Sequence, residues 1–474
     1  MTSAGSEPVG KPGREKAVRG TAVTLVGQVV GAAIRLANTL ALSRLLVPDD
    51  FGAMALVNVF AQGLYMFSDL GLGPAIVQQP DGEKPRFLHT AFTLQLVRGA
   101  FLVLGTAALA FPVAALYDLP SLRYLVPVSG LVALVEAFTS TKVWTENRHL
   151  RLARLTAIDL GSYFVGTAAA IACAYLTRSV IAIPFGGLFG SVVRVTLSHV
   201  ALPGVGPGLA WDRQARRDLV TFGRWIFLGT ALAFVSLQID RLVLGRLVSP
   251  ATLGIYSIAV GLASIPRELL QLLSSRIVFP MFAELLRHGD SAEMREVRRI
   301  VVGLLVVPVG ILVGASHALV DFLYDDRYRL AGDLMAMLGI GTWLSVVGAS
   351  YGVVVLASGE PKWMSFGTAA KAAIFASLSM PVLRTHGIVG VALLVGLAEG
   401  ASALSNLIGA RKRSVVTLAT DAVATVAMLA LAFGFRAFDR WLTPLAGTPL
   451  VSLVLGATVA IGVPLLGARR LRLI

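Results

Sequence analysis

The sequence predicts an all-α polytopic membrane protein of about fourteen transmembrane helices, and three observations carry that fold class. The 474 residues are 56% hydrophobic, with a mean hydropathy of +0.77. Only 14% are charged, where a soluble domain carries roughly a quarter. The apolar residues come in long blocks parted by short basic stretches, the pattern of spanning helices and not of one globular core.

Blocks long enough for the roughly 20 residues that a hydrocarbon core requires run over 20–46, 51–78, 87–116, 120–142, 153–176, 179–202, 219–247, 251–282, 300–320, 331–357, 361–382, 387–410, 414–435 and 447–468. Gly and Pro interrupt many of them, as membrane helices tolerate when neighbours re-satisfy the freed backbone groups. No small-residue cleavage site follows a short apolar core near the start, so the first block reads as a retained helix and not a signal peptide. The expected organisation is a disordered cytoplasmic tail (1–19), an N-lobe of six helices (20–202), an inter-lobe linker (203–218) and a C-lobe of six helices (219–410). Two further helices and a cytoplasmic end (411–474) follow as an appendix. The single cysteine, Cys173, lies inside an apolar block and reads as a packing residue, with no disulfide framework or cysteine metal site.

Orientation follows from the basic residues. With both termini placed in the cytoplasm, 24 Lys and Arg fall in cytoplasmic segments, 9 on the opposite side and 8 within spans. That asymmetry is a positive-inside signal. It also accounts for the net charge of +14 without invoking nucleic acid. No loop is large enough for a catalytic domain, no Walker-type phosphate loop is present, and the six His show no metal-ligand spacing. The chain therefore reads as a carrier and not an enzyme, with no cofactor.

The chain repeats itself at an offset of 202 residues. Leu40 to Gly52 aligns with Leu242 to Gly254 at 6 identities in 13 positions, including Arg44 with Arg246, Pro48 with Pro250 and Gly52 with Gly254. An even number of helices between the copies gives both lobes one orientation. This predicts two six-helix bundles related by a pseudo-two-fold along the membrane normal, with a substrate path between them.

Several stretches carry a family resemblance. Ser43-Arg44-Leu45-Leu46-Val47-Pro48-Asp49-Asp50-Phe51-Gly52 resembles the first-loop pattern of polysaccharide-type (Wzx-like) flippases of the multidrug, oligosaccharidyl-lipid and polysaccharide exporter superfamily. Asp69 to Gln78 is similar to that family's second-helix ending, and Glu146-Asn147-Arg148 through Asp159-Leu160 to its loop between helices four and five. Leu323-Tyr324 with Tyr328, and Ala357-Ser358-Gly359-Glu360-Pro361-Lys362, resemble its later loops. The resemblance implies transfer of undecaprenyl-diphosphate-linked oligosaccharides from the cytoplasmic to the periplasmic leaflet, feeding exopolysaccharide, capsule or O-antigen assembly. It also implies a bacterial inner-membrane location, and as partners the lipid-linked substrate, membrane lipids and other polysaccharide-assembly proteins.

Such a cargo poses a physical problem. A bare diphosphate cannot enter hydrocarbon, so its carrier needs a wet, cationic cavity reachable from one side at a time. Of the basic residues within spans, Arg224, Arg241 and Arg276 lie near helix ends and are expected to snorkel to the interface, while Arg194 is ambiguous. Arg35, Arg98, Arg267 and Lys371 lie closest to mid-span and are the expected anion-binding residues, with structural ion pairing as the alternative. The family resemblance singles out Arg35 and Arg267, through their helices one and eight. The intramembrane acids are Asp69, Glu136, Asp159, Asp240, Glu268 and Glu399. Asp240 and Glu399 first, then Asp69 and Asp159, are candidates for coupling to Na⁺ or H⁺ or for gating, against inter-helix salt bridges as the structural alternative. A drug/cation antiporter of the same superfamily is the competing function, disfavoured because the first helix carries Arg35 and no acid. A membrane polysaccharide-assembly enzyme and a non-transporting scaffold stand further off.

The orientation is directly testable. A reporter that matures only in the cytoplasm should be active when fused after Ile474 or before Met1, and one that needs the periplasm should be silent at both ends. The reverse result at either end would overturn the charge-based topology.

Overall fold

The computed structural model describes residues 11–68, 71–274, 278–446 and 449–470; of some of these, including 11–25 and 461–470, only the backbone is described. The described residues are helical, with no strand, and the chain divides into two compact units, 1–231 and 232–474. The first unit holds α1 (Lys11–Leu45), α2 (Pro48–Phe67), α3 (Leu72–Gln78), α4 (Pro85–Tyr117), α5 (Leu122–Ala137), α6 (Lys142–Arg148), α7 (Leu152–Thr177) and α8 (Ala182–Val200). Helix α9 (Arg213–Leu247) contains the division. The second unit continues with α10 (Pro250–Ala263), α11 (Ile265–Leu273), α12 (Phe279–His288), α13 (Ser291–Gly314), α14 (Ser316–Leu323), α15 (Leu330–Ala357), α16 (Lys362–Ala410), α17 (Leu418–Ala446) and α18 (Leu450–Arg470). Helix α1 begins at Lys11, so it reaches back into the stretch expected to be a disordered tail.

Among the described residues, nine helices are long and apolar enough to cross a membrane, or ten if the bent pair α5–α6 is one span. The expected fourteen is not reached on that measure, because breaks cut or merge several blocks. The block 251–282 is divided among α10, α11 and α12, and in the block 120–142 the helix stops at Ala137, beyond which α6 follows at a bend of 63°. Conversely, α16 joins the blocks 361–382 and 387–410. A straight helix would hold Trp363 and Ser405 roughly 60 Å apart, yet the Ser405 hydroxyl donates to the Trp363 carbonyl at 2.7 Å. The run is therefore two arms folded back on each other. The reversal is at Gly387 (φ 64°, ψ −166°), a conformation open essentially to glycine alone.

The internal repeat is visible as two helical corners with the same boundaries. Helix α1 ends at Leu45 and α2 starts at Pro48; 202 residues later, α9 ends at Leu247 and α10 starts at Pro250. In each corner a proline opens the second helix, where its missing N–H has no intrahelical partner to lose. In the first, the Asp50 carboxylate accepts from the Val47 N–H (3.3 Å); in the second, Ser249 Oγ accepts from the Thr252 N–H (3.3 Å). Leu42 and Leu244 are buried in both, while Arg44 and Arg246 point outward.

Small residues set the helix packing, as expected where apolar burial alone does not drive association. Ser162, Gly166, Ala170 and Ala174 form a buried stripe on α7, and a Cβ on Gly186 of α8 would fall 2.4 Å from that of Ala170. In the second unit α15 meets the far arm of α16 at Gly341 and Gly396, where a Cβ on either would lie within 3 Å of the other's Cα.

The loops behind the family resemblance are tied down by side chains. Arg148 Nη1 donates to the Ile76 and Gln79 carbonyls (2.9 and 2.6 Å), closing the end of α3. Asp325 caps the 3-10 turn Asp326–Tyr328, and the Tyr324 and Tyr328 rings pack at 5.4 Å. Between α15 and α16, Gly359 turns with φ +72°, and Glu360 accepts from the Trp363 indole (3.2 Å) near Lys362 and Lys412. That hydrogen bond first, and the two lysines with it, hold the partly exposed Glu360 carboxyl below its ordinary value. The stretch expected as an inter-lobe linker runs along α4: the Gly206 carbonyl meets His89 Nε2 at 3.3 Å, and Ala210 and Asp212 donate to the Thr93 and Thr90 hydroxyls.

The last two helices are not an appendix. Met428 and Ala432 of α17 belong to the same buried cluster as Val309 of α13 and Trp343 of α15. Arg298, counted above as a loop cation, is 1% exposed and sits 3.6 Å over the Tyr351 ring. Its Nη2 donates to Asp421 Oδ2 at 3.0 Å, its Nη1 to Thr417 and its Nε to Ser350, so one guanidinium ties α13 to α15 and α17. The Trp343 indole adds a 2.9 Å bond to Thr425. Removing one partner strands a buried charge. Arg298→Met or Asp421→Leu should therefore lower stability in detergent by about 3–5 kcal/mol, and the double substitution should restore much of the loss. Unfolding midpoints of the single variants equal to wild type would refute the tie.

Candidate functional site

The polar residues of α9, α10, α11, α15 and α16 converge on one open cavity inside the second unit. A proline break lies at one wall. Pro266 lacks an N–H, the helix is interrupted at Ser264 between α10 and α11, and Thr342 of α15 donates to the Ala263 carbonyl at 2.9 Å. Arg267, just beyond the break, lines the cavity and is partly exposed. The reversal at Gly387 builds another wall, bringing Lys371 of the first arm of α16 to Glu399 of the second.

Four of the residues singled out from the sequence meet here. Lys371 Nζ donates to Glu399 Oε1 at 2.6 Å and to the Ser236 carbonyl of α9 at 3.0 Å. Arg267 Nη1 lies 3.6 Å from the same Glu399 oxygen. Asp240 Oδ2 accepts from the buried Tyr256 hydroxyl at 2.7 Å. Arg241, expected to snorkel, instead lines the cavity, its Nη1 donating to Gln238 Oε1 at 2.9 Å. The cavity therefore carries Arg241, Arg267 and Lys371 against Asp240 and Glu399, three cations to two carboxylates.

The other candidates lie in the first unit or outside the description. Arg35 is exposed on α1, 5.8 Å from the centre of the Tyr163 ring of α7. Arg98 is engaged at the end of α2, donating to Ser68 Oγ (3.0 Å) and the Tyr65 carbonyl (2.8 Å) and lying 4.2 Å over the Tyr65 ring. Asp159 of α7 pairs with Arg194 of α8 at 3.0 Å, and Glu136 accepts from Ser191. Glu268 accepts from Ser264. Asp69 and Arg276, and the side chain of Arg224, lie outside the described residues. Sequence reasoning missed the cavity positions of Arg241 and Tyr256. A signal was present in Gln238 and Arg241, three apart on one helical face, with Thr342 and Ser345 at the same spacing on apolar α15.

Residues 41–331 match the sequence profile of a family described as polysaccharide biosynthesis protein. The chain belongs to that family. Within it, the chain is similar to the teichuronic acid biosynthesis protein TuaB of Bacillus subtilis, 22% identical over 64% of this chain and 62% of TuaB. It is similar also to the lipopolysaccharide biosynthesis protein WzxC of Escherichia coli, 20% identical over 73% of this chain and 70% of WzxC. The succinoglycan biosynthesis transport protein ExoT of Rhizobium meliloti is 23% identical over 63% of this chain and 60% of ExoT. The chain thus spans only about six tenths of TuaB and ExoT. Among solved structures, the fold resembles a lipid II flippase, MurJ, in an inward closed conformation, with a TM-score of 0.70 at 12% identity over 96% of this chain and 99% of that one. An inward-facing multidrug resistance transporter of the MATE family follows at 0.61 and 14% identity, over 81% and 94%. This member of the polysaccharide biosynthesis family is a multi-pass membrane protein that shares its fold with those two structures.

Proposed function

We propose that the protein is a flippase that carries undecaprenyl-diphosphate-linked oligosaccharide repeat units across the bacterial inner membrane, from cytoplasmic to periplasmic leaflet, by alternating access. The product would feed exopolysaccharide, capsule or O-antigen assembly, alongside other polysaccharide-assembly proteins, and both termini would face the cytoplasm. Membership of the polysaccharide biosynthesis family supports the substrate class, and the positive-inside pattern supports the orientation.

The observation that carries the reading is the cavity with Arg241, Arg267 and Lys371 on its wall. An arginine fork holds two phosphate oxygens at once, and a lysine adds a point charge. The sugars, in contrast, need a wet polar lining, which Ser264, Thr342 and Ser345 begin to supply. A bound anion of net charge about −2 moving outward gains roughly 5 kcal/mol per 100 mV of membrane potential, which favours export. Asp240 and Glu399 are the residues we assign to any coupling Na⁺ or H⁺, since they are the carboxylates on the cavity wall.

The test is translocation of a lipid-diphosphate oligosaccharide in vesicles containing the purified protein. Arg267→Ala and Lys371→Ala should each slow it roughly tenfold or more, the effect of losing one charge-assisted hydrogen bond. Wild-type protein that ignores every lipid-linked glycan but exports cationic dyes would replace this reading with the drug/cation antiporter.

A further inference from the structure

Glu399 stands where a bound diphosphate would have to be. Its Oε1 faces Lys371 Nζ at 2.6 Å and Arg267 Nη1 at 3.6 Å, so two of the three cavity cations already look at an anion. The geometry is unlike that of the Arg298–Asp421 pair. There the guanidinium is 1% exposed and sealed by helices; here the Arg267 side chain is 31% exposed and all three groups line open space. Lys371 has a second anchor, because it also donates to the Ser236 carbonyl of α9. The Lys371–Glu399 bond also joins the two arms of α16 below their reversal at Gly387.

We propose that Glu399 is an internal competitor for the substrate's phosphates, and so the residue that sets the cavity's affinity for anions. The inference rests on the diphosphate reading above. With no cargo, Glu399 neutralises a buried lysine and a half-buried arginine, whose charges would be costly without a counter-ion in a low-dielectric wall. When a diphosphate enters, its oxygens take over Arg267 and Lys371, and the carboxylate withdraws. On release the carboxylate returns, which keeps the loaded state from becoming a trap. Without the Glu399 charge, three cations would face the single carboxylate of Asp240, and an anion would bind more tightly and leave more slowly.

The experiment uses the full chain in lipid nanodiscs and inorganic pyrophosphate as the probe, with affinity read by calorimetry and turnover read in vesicles. Glu399→Gln keeps the side chain's size and its carbonyl acceptor but removes the charge. It should bind pyrophosphate about tenfold or more tightly while the maximal translocation rate falls, and Lys371→Met should bind it more weakly. Glu399→Asp keeps the charge but draws it back from both cations, and should show a smaller increase in affinity; it serves if the Gln variant does not fold. Equal affinity in wild type, Glu399→Gln and Glu399→Asp would overturn the competitor role and leave the diphosphate reading standing. Weaker binding in Glu399→Gln would mean that the carboxylate merely positions Lys371, and would overturn it as well. Absence of binding in wild type and all variants would remove the diphosphate reading and this inference together.

Discussion

Hydrocarbon offers no hydrogen bonds, so every backbone group freed by a bend and every charge carried into a span must find its partner within the protein. The breaks in this chain show that constraint at work. Where α5 gives way to α6, Gln95 donates to the Ala137 and Thr139 carbonyls, and His199 Nε2 meets the Phe138 carbonyl at 2.7 Å. Where Pro266 interrupts the α10–α11 span, Thr342 attends to the Ala263 carbonyl. Each break is attended by a side chain from a neighbouring helix, and the one before Pro266 lies beside the cavity that Arg267 lines.

The same constraint applied to charges gives two outcomes in the second unit. Arg298 is matched by Asp421, Thr417 and Ser350 together and stacked on Tyr351, with no room for anything else. Arg267 and Lys371 share one carboxylate, and Arg241 donates to the neutral Gln238 in the cavity wall. A guanidinium sealed among its partners is structural. Cations that share a counter-ion beside open space retain capacity for a ligand. The distinction lies in how completely each charge is surrounded, and not in its depth along a helix.

That distinction explains what could be read from the sequence. Long apolar blocks announce a membrane protein, and Pro48 and Pro250 at the same offset as Arg44 and Arg246 announce repeated corners, because a proline can open a helix without losing a bond. The stretches that carry the family resemblance were legible for a related reason: Arg148, Asp325, Gly359 and Glu360 hold turns, and turns impose narrow residue requirements. Those residues identify the family while touching none of the cavity. Partner choice was not legible. Arg298 sits close to a basic loop and was counted with it, since Asp421 lies 123 residues downstream and no local spacing links them. Mid-span position found Arg267 and Lys371 but also Arg98, which serves the end of α2, and it passed over Arg241. Which helices touch is set by small-residue stripes such as Ser162–Gly166–Ala170–Ala174, and such stripes do not name their partners.

A carrier differs from a receptor in that tight binding defeats it, because cargo that cannot leave one side stops the cycle. Cations alone in a low-dielectric cavity would be costly when empty and adhesive when loaded. A carboxylate among them addresses both problems, by lowering the cost of the empty state and by competing for the same donors as the cargo departs. The fold places that carboxylate on the second arm of α16 and its principal cation on the first, and their ion pair links the arms between the reversal at Gly387 and the Ser405–Trp363 hydrogen bond. Exchange of Glu399 for a phosphate therefore removes a link between two helices in the same event that loads the site. On the proposed reading, occupancy of the site and one of the links between the arms change together.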